Sequence, residues 1–75
     1  MSIQITSDPD ILQGKPCIAG TRISVELIVE LFSLEYTAED ILEGYPHLTR
    51  EQIFAALAFA HKQLHEKYLQ DRIAS

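Results

Sequence analysis

Thr37-Ala38-Glu39-Asp40-Ile41-Leu42-Glu43-Gly44-Tyr45-Pro46-His47-Leu48-Thr49-Arg50-Glu51-Gln52 is the stretch that decides the fold. It holds one helix and its stop, followed by the start of another. Thr37 is placed as an N-cap, with Glu39 and Asp40 in the electropositive first turn. Ile41 and Leu42 face inward. Gly44 is placed to end this helix, and Pro46 prevents its continuation. Thr49-Arg50-Glu51-Gln52 then has the capping-box pattern, a threonine at the N-cap and a glutamine at the third helical position. Two helices joined by a short turn are therefore predicted.

Working outward, the downstream helix is predicted to run from Thr49 to about Lys67 or Leu69, with fraying beyond. Ile53 to Ala60 is apolar all round, so this half is buried on several sides. From His61 onward the pattern is ordinarily amphipathic, with Leu64, Tyr68 and Ile73 on one side. Upstream, Ser24 is a good N-cap for a third helix containing Leu27, Ile28, Val29, Leu31, Phe32 and Leu34. Glu26, Glu30 and Ser33 form its polar stripe. The segment before it is strand and turn material. Ile3 and Ile5 alternate with polar residues, Ser7-Asp8-Pro9-Asp10 reads as a turn, and Gly14-Lys15-Pro16 is a break. Cys17-Ile18 and Arg22-Ile23 flank Ala19-Gly20-Thr21, a tight hairpin with Gly20 at a position needing positive φ. The fold class is mainly α. A three-helix core of helix-turn-helix type follows a short N-terminal strand and hairpin segment, all in one domain over residues 1–75.

Size and charge limit what such a chain can do. A core this small rarely supplies more than about 3–5 kcal/mol, so extra stability usually comes from disulfides, a metal or association. Cys17 is the only cysteine, which excludes an internal disulfide and fits a reducing, cytoplasmic setting. No apolar run approaches the ~20 residues of a membrane span, and Met1 to Thr6 does not read as a signal peptide. Association with another chain is the expected source of stability. The net charge is −5. Between Val25 and His61 there are seven acids against one base, Arg50, so the middle alone is more negative than the whole. Such a field repels phosphate backbones and weakens any nucleic-acid role played by this chain alone.

Each chemical reading competes with a plainer one. His61 and His65 have a metal-binding spacing but no convincing third ligand; a half-exposed helical pair is the stronger reading, and no cofactor or metal is expected. His47 is expected to bond to backbone in its turn. Cys17, between Pro16 and Ile18, reads as a small buried hydrophobe rather than a nucleophile. The acids Glu39, Asp40 and Glu43 read as a solvated face. Nothing supplies a pocket of the ~300 Å³ or more that small-molecule sites occupy, and no enzyme is expected. Arg22 is expected to form a structural ion pair with Glu26 or another acid; the alternative is presentation to a partner's carboxylate or phosphate. Thr49, Arg50 and Gln52 are candidates for DNA contact, but Thr49 and Gln52 already have work as a cap and Glu51 sits between them. The apolar excess is the strongest positive signal. Leu31, Phe32, Leu34, Phe54 and Phe59, with Tyr36, exceed what three short helices can bury, and they are candidates for an oligomer or partner interface.

Gly14-Lys15-Pro16-Cys17-Ile18-Ala19-Gly20-Thr21-Arg22-Ile23, Ile41-Leu42-Glu43-Gly44-Tyr45-Pro46-His47-Leu48-Thr49 and Ala55-Ala56-Leu57-Ala58 together carry a family pattern. Over about Ile5 to Leu64 the chain resembles the bacterial family "domain of unknown function four hundred and thirty-three". The resemblance implies a homeodomain-like helix-turn-helix preceded by short strands. It also implies an antitoxin that binds a PIN-like ribonuclease toxin and represses its own operon by binding operator DNA. Self-association is expected from the apolar faces of residues 25–34 and 53–59. The alternatives are a stand-alone helix-turn-helix DNA-binding regulator or a purely structural homo-oligomeric domain. PIN-type sites are acidic metal centres, so a blocking residue should be cationic; Arg22, Arg50 and Arg72 are the candidates. The family's pattern carries no catalytic residues to transfer. One departure is visible: Ser33-Leu34-Glu35-Tyr36 lacks the glycine often found before Thr37, which predicts a less left-handed turn.

Overall fold

A computed structural model describes residues 5–74, with side chains through residue 69. Ile3 lies outside the described residues, and the side chains of Arg72 and Ile73 lie outside those described. Two short antiparallel strands open the fold, β1 (Ile5–Thr6) and β2 (Cys17–Ile18), with Ile5 opposite Ile18 and Thr6 opposite Cys17. Between them a one-turn 3-10 element at Leu12–Gly14 follows an Asx turn, in which the Asp10 N–H donates to Asp8 Oδ1 at 2.9 Å. The other flank of β2 meets the following residues. The Ile18 N–H donates to the Ile23 carbonyl at 3.0 Å, and Cys17 forms a single bridge with Ser24. The tight turn expected at Ala19-Gly20-Thr21 is therefore present, with φ of +79° at Gly20, but the named strand pairing is to β1. Thr21 latches the turn. Its hydroxyl donates to the Ile18 carbonyl at 2.7 Å and accepts from the Ile23 N–H at 3.0 Å.

Three helices follow, each started by a side-chain cap. α1 (Val25–Ser33) begins at Ser24, whose hydroxyl accepts from the Leu27 N–H at 2.9 Å. α2 (Ala38–Gly44) begins with a full capping box. The Thr37 N–H donates to Asp40 Oδ2 at 2.9 Å, and the Asp40 N–H donates to Thr37 Oγ1 at 3.1 Å. α3 (Arg50–Ala74) begins with the Thr49–Gln52 box, the Thr49 N–H donating to Gln52 Oε1 at 2.9 Å and the Gln52 N–H donating to Thr49 Oγ1 at 3.2 Å. α3 thus runs past the expected stop near Lys67 or Leu69. Its 25 residues make a rod of about 37 Å.

The turn after α1 departs from expectation. The Glu35 N–H donates to the Phe32 carbonyl at 3.0 Å and the Tyr36 N–H to the Leu31 carbonyl at 3.1 Å, the paired bonds of a Schellman stop. This stop needs a left-handed residue, and Glu35 supplies it with φ of +70°. The turn is left-handed without a glycine, because two backbone bonds outweigh a strain of about 1–2 kcal/mol.

β2 and all three helices contribute to one core. Ile18, Ile28, Ile41 and Ile53 are fully buried, one from each element. Ile23, Val25, Leu48 and Ala56 complete the buried cluster. α1 packs against α3, and the fold is mainly α with a short two-stranded hairpin in front. Beyond the core, every described residue from His61 to Leu69 is exposed.

Candidate functional site

The start of α3 is occupied by its own chemistry. Thr49 and Gln52 spend their side chains on the capping box. Arg50 hydrogen-bonds and ion-pairs with Glu39 of α2, and its guanidinium lies 5.5 Å from the centre of the Phe54 ring. Glu39 is held below the ordinary glutamate range, first by a backbone hydrogen bond and then by the hydrogen bond and charge of Arg50. The three residues expected to read DNA are thus tied to one another's backbone, to α2 and to a neighbouring ring.

Arg22 is placed differently. It sits just past the Gly20 turn, exposed, and among the described residues it has no ion pair or hydrogen bond. The expected pairing with Glu26 does not form; Lys15 Nζ stands 3.6 Å from Glu26 Oε1. Arg22 therefore projects a cation from a turn whose backbone is fixed by Thr21. Arg72 falls among residues whose side chains are not described.

The candidate interface residues divide. Leu31, Phe32 and Phe59 are half-buried and pack against the core. Leu34 and Phe54 remain 60% and 46% exposed, with Tyr36 at 47%. The core thus accounts for part of the apolar excess and leaves these side chains in water.

A groove missed in the sequence lies between α1 and the distal half of α3. It measures about 780 Å³ and is lined by Val25, Val29 and Ser33 on one wall and Ala60, Leu64 and Lys67 on the other. Its lining positions recur every three or four residues on each helix, the spacing of one helical face. The expectation that the chain lacks a sizeable concavity is corrected here. The signal was present in the α3 row Leu57, Ala60 and Leu64, which continues the inward face past the last core residue. The groove's acids are Glu26, Glu30 and Glu66.

Among the described residues, the remaining titratable side chains form no second centre. The His61 and His65 rings stack 6.0 Å apart. Among the described residues no group of three His, Cys, Asp or Glu is placed to hold a metal. His47 makes an edge contact with Tyr45, ring centres 6.5 Å apart, rather than the expected backbone bond. Cys17 is buried, its Sγ donating to the Lys15 carbonyl at 3.2 Å, as expected for a small hydrophobe. Among the described residues no helix is long and apolar enough to cross a membrane.

Comparison with known proteins bears on identity. The chain is 38% identical over 56 residues to the uncharacterized protein y4eO of Sinorhizobium fredii (strain NBRC 101917 / NGR234). That match covers 75% of this chain and 25% of the relative, so the chain spans about a quarter of the relative's length. No solved structure matches the chain. Residues 5–60, from β1 through Ala60 on the groove wall, match the family described as "Protein of unknown function (DUF433)", and the chain belongs to that family.

Proposed function

We propose that this chain is a non-enzymatic, antitoxin-type binding module. It acts in the cytoplasm, self-associates, and neutralises a cognate PIN-like ribonuclease by covering its acidic metal centre. The observation that carries this reading is Arg22. In an acidic chain it is an exposed guanidinium with no partner among the described residues, held on a turn that the Thr21 hydroxyl fixes. An arginine in this state can give bidentate hydrogen bonds to a partner's carboxylates without first breaking bonds of its own. Arg50 would have to give up Glu39 and the Phe54 ring. The exposed Leu34 and Phe54 offer apolar area for self-association.

The test is co-expression of the tagged chain with the product of the neighbouring gene, followed by a ribonuclease assay of that product alone and in complex. A stable complex with silenced activity is expected, and Arg22→Ala should relieve the silencing more than Arg50→Ala. If Arg22→Ala, Arg50→Ala and Arg72→Ala all silence fully, the arginine plug is wrong. Absence of any complex removes the antitoxin reading.

A further inference from the structure

We propose that the groove between α1 and the distal half of α3 receives an amphipathic helix of a partner protein whose apolar stripe is flanked by lysine or arginine. This rests on the reading of the chain as a partner-binding module, and it names the chemistry of the segment that is bound. The groove has an apolar strip flanked by polar residues: Val25 and Val29 of α1 and Ala60 and Leu64 of α3 line it. Leu64 is 68% exposed and Val29 39% exposed. Leu64 continues the inward row of α3 past Ala56, the last buried residue described on that helix. Val25 to Ser33 rises about 12 Å, a little over two helical turns. That length suits a helix anchored through residues at i, i+3 or i+4, and i+7.

Charge decides the occupant. Among the described residues, Glu26, Glu30 and Glu66 line the groove against one lining cation, Lys67. Glu26 has a loose partner in Lys15, with both side chains more than half exposed. Glu30 and Glu66 have no side-chain partner among the described residues. A second copy docked groove to groove would set the same carboxylates against themselves, because a two-fold interface pairs each patch with its own copy. The whole chain carries −5, which adds to that repulsion. A helix with basic flanks instead neutralises the rim while its apolar face fills the floor.

The experiment uses the full chain and two labelled synthetic helices of about four turns each. One has leucines along one face and lysines on both flanks; its twin carries glutamates in place of the lysines. Fluorescence anisotropy reads binding, and backbone amide shifts locate it. The lysine helix should bind, with shifts at Val29, Ala60 and Leu64, and its twin should not. Leu64→Ser should weaken binding about tenfold, and Glu30→Lys should shift preference toward the glutamate helix. Both positions are exposed, and circular dichroism checks that the variants stay folded. Binding of neither helix overturns the proposal. So does equal binding of both, or lysine-helix binding that neither variant changes. A dimer that Leu64→Ser dissolves would assign the groove to a second copy, and would also overturn it. If the paired Leu64→Ser, Glu30→Lys variant still co-purifies with and silences the toxin, the groove assignment fails while the antitoxin reading stands. If the wild-type chain captures no toxin yet binds the lysine helix, the antitoxin reading fails and the groove chemistry stands.

Discussion

Glu35 occupies a backbone position that favours glycine, with φ of +70° at the centre of the stop after α1. Glu35→Gly should therefore stabilise the chain by about 1 kcal/mol, seen as a higher denaturant midpoint with unchanged slope. Glu35→Ala keeps the strain and should show little change. Glu39 gives a second test. Its carboxyl is held below the ordinary glutamate range by a backbone hydrogen bond and then by Arg50. A depressed folded value means that this contribution is complete above the unfolded glutamate range and is lost as pH falls through the folded value. Carboxyl NMR should find Glu39 titrating below the ordinary glutamate range, and Arg50→Ala should raise it toward that range. An unchanged Glu39 in that variant would show that the backbone bond acts alone. The freedom of Arg22 was not legible in the sequence. Lys15, from the preceding loop, is the cation that stands beside Glu26. That is a fact of three-dimensional placement.

The helix starts were legible because their causes are local. Ser24, Thr37 and Thr49 each accept from an amide three residues on, and a short window of sequence contains both partners. The Asp40 half of the α2 box is equally local; it was read only as a first-turn acid because aspartate is a rarer partner there than glutamate. The groove was harder to see, because it exists only where α1 and α3 lie side by side. Gly44 offers a test at this scale. It is the last residue of α2, its φ is not positive, and a Cβ there would meet nothing within 4 Å. Gly44→Ala should stabilise by about 0.5–1 kcal/mol through helix propensity, raising the thermal midpoint. A loss of stability instead would mean that α2 ends earlier than Gly44.

At the scale of the whole molecule, the fold spends its apolar residues unevenly. The core is closed by Ile53 and Ala56 in the first half of α3, while Leu64, Tyr68 and Leu69 stay exposed in the second. Its charge is uneven as well, with the acids gathered around the helical middle. Operator binding by this chain alone should therefore be weak and fall steeply with salt, as measured by anisotropy on its own upstream DNA. Tight binding that ignores salt would refute the electrostatic argument. The long overhang of α3 has a consequence for turnover in a living cell. From His61 to Leu69 the helix has little tertiary cover, so it opens more readily than the buried segment before it. A protease needs an opened strand, and Lys62 and Lys67 sit within this part. If a partner sheathes this overhang as proposed, a solitary copy should be the shorter-lived one, so that abundance would record occupancy.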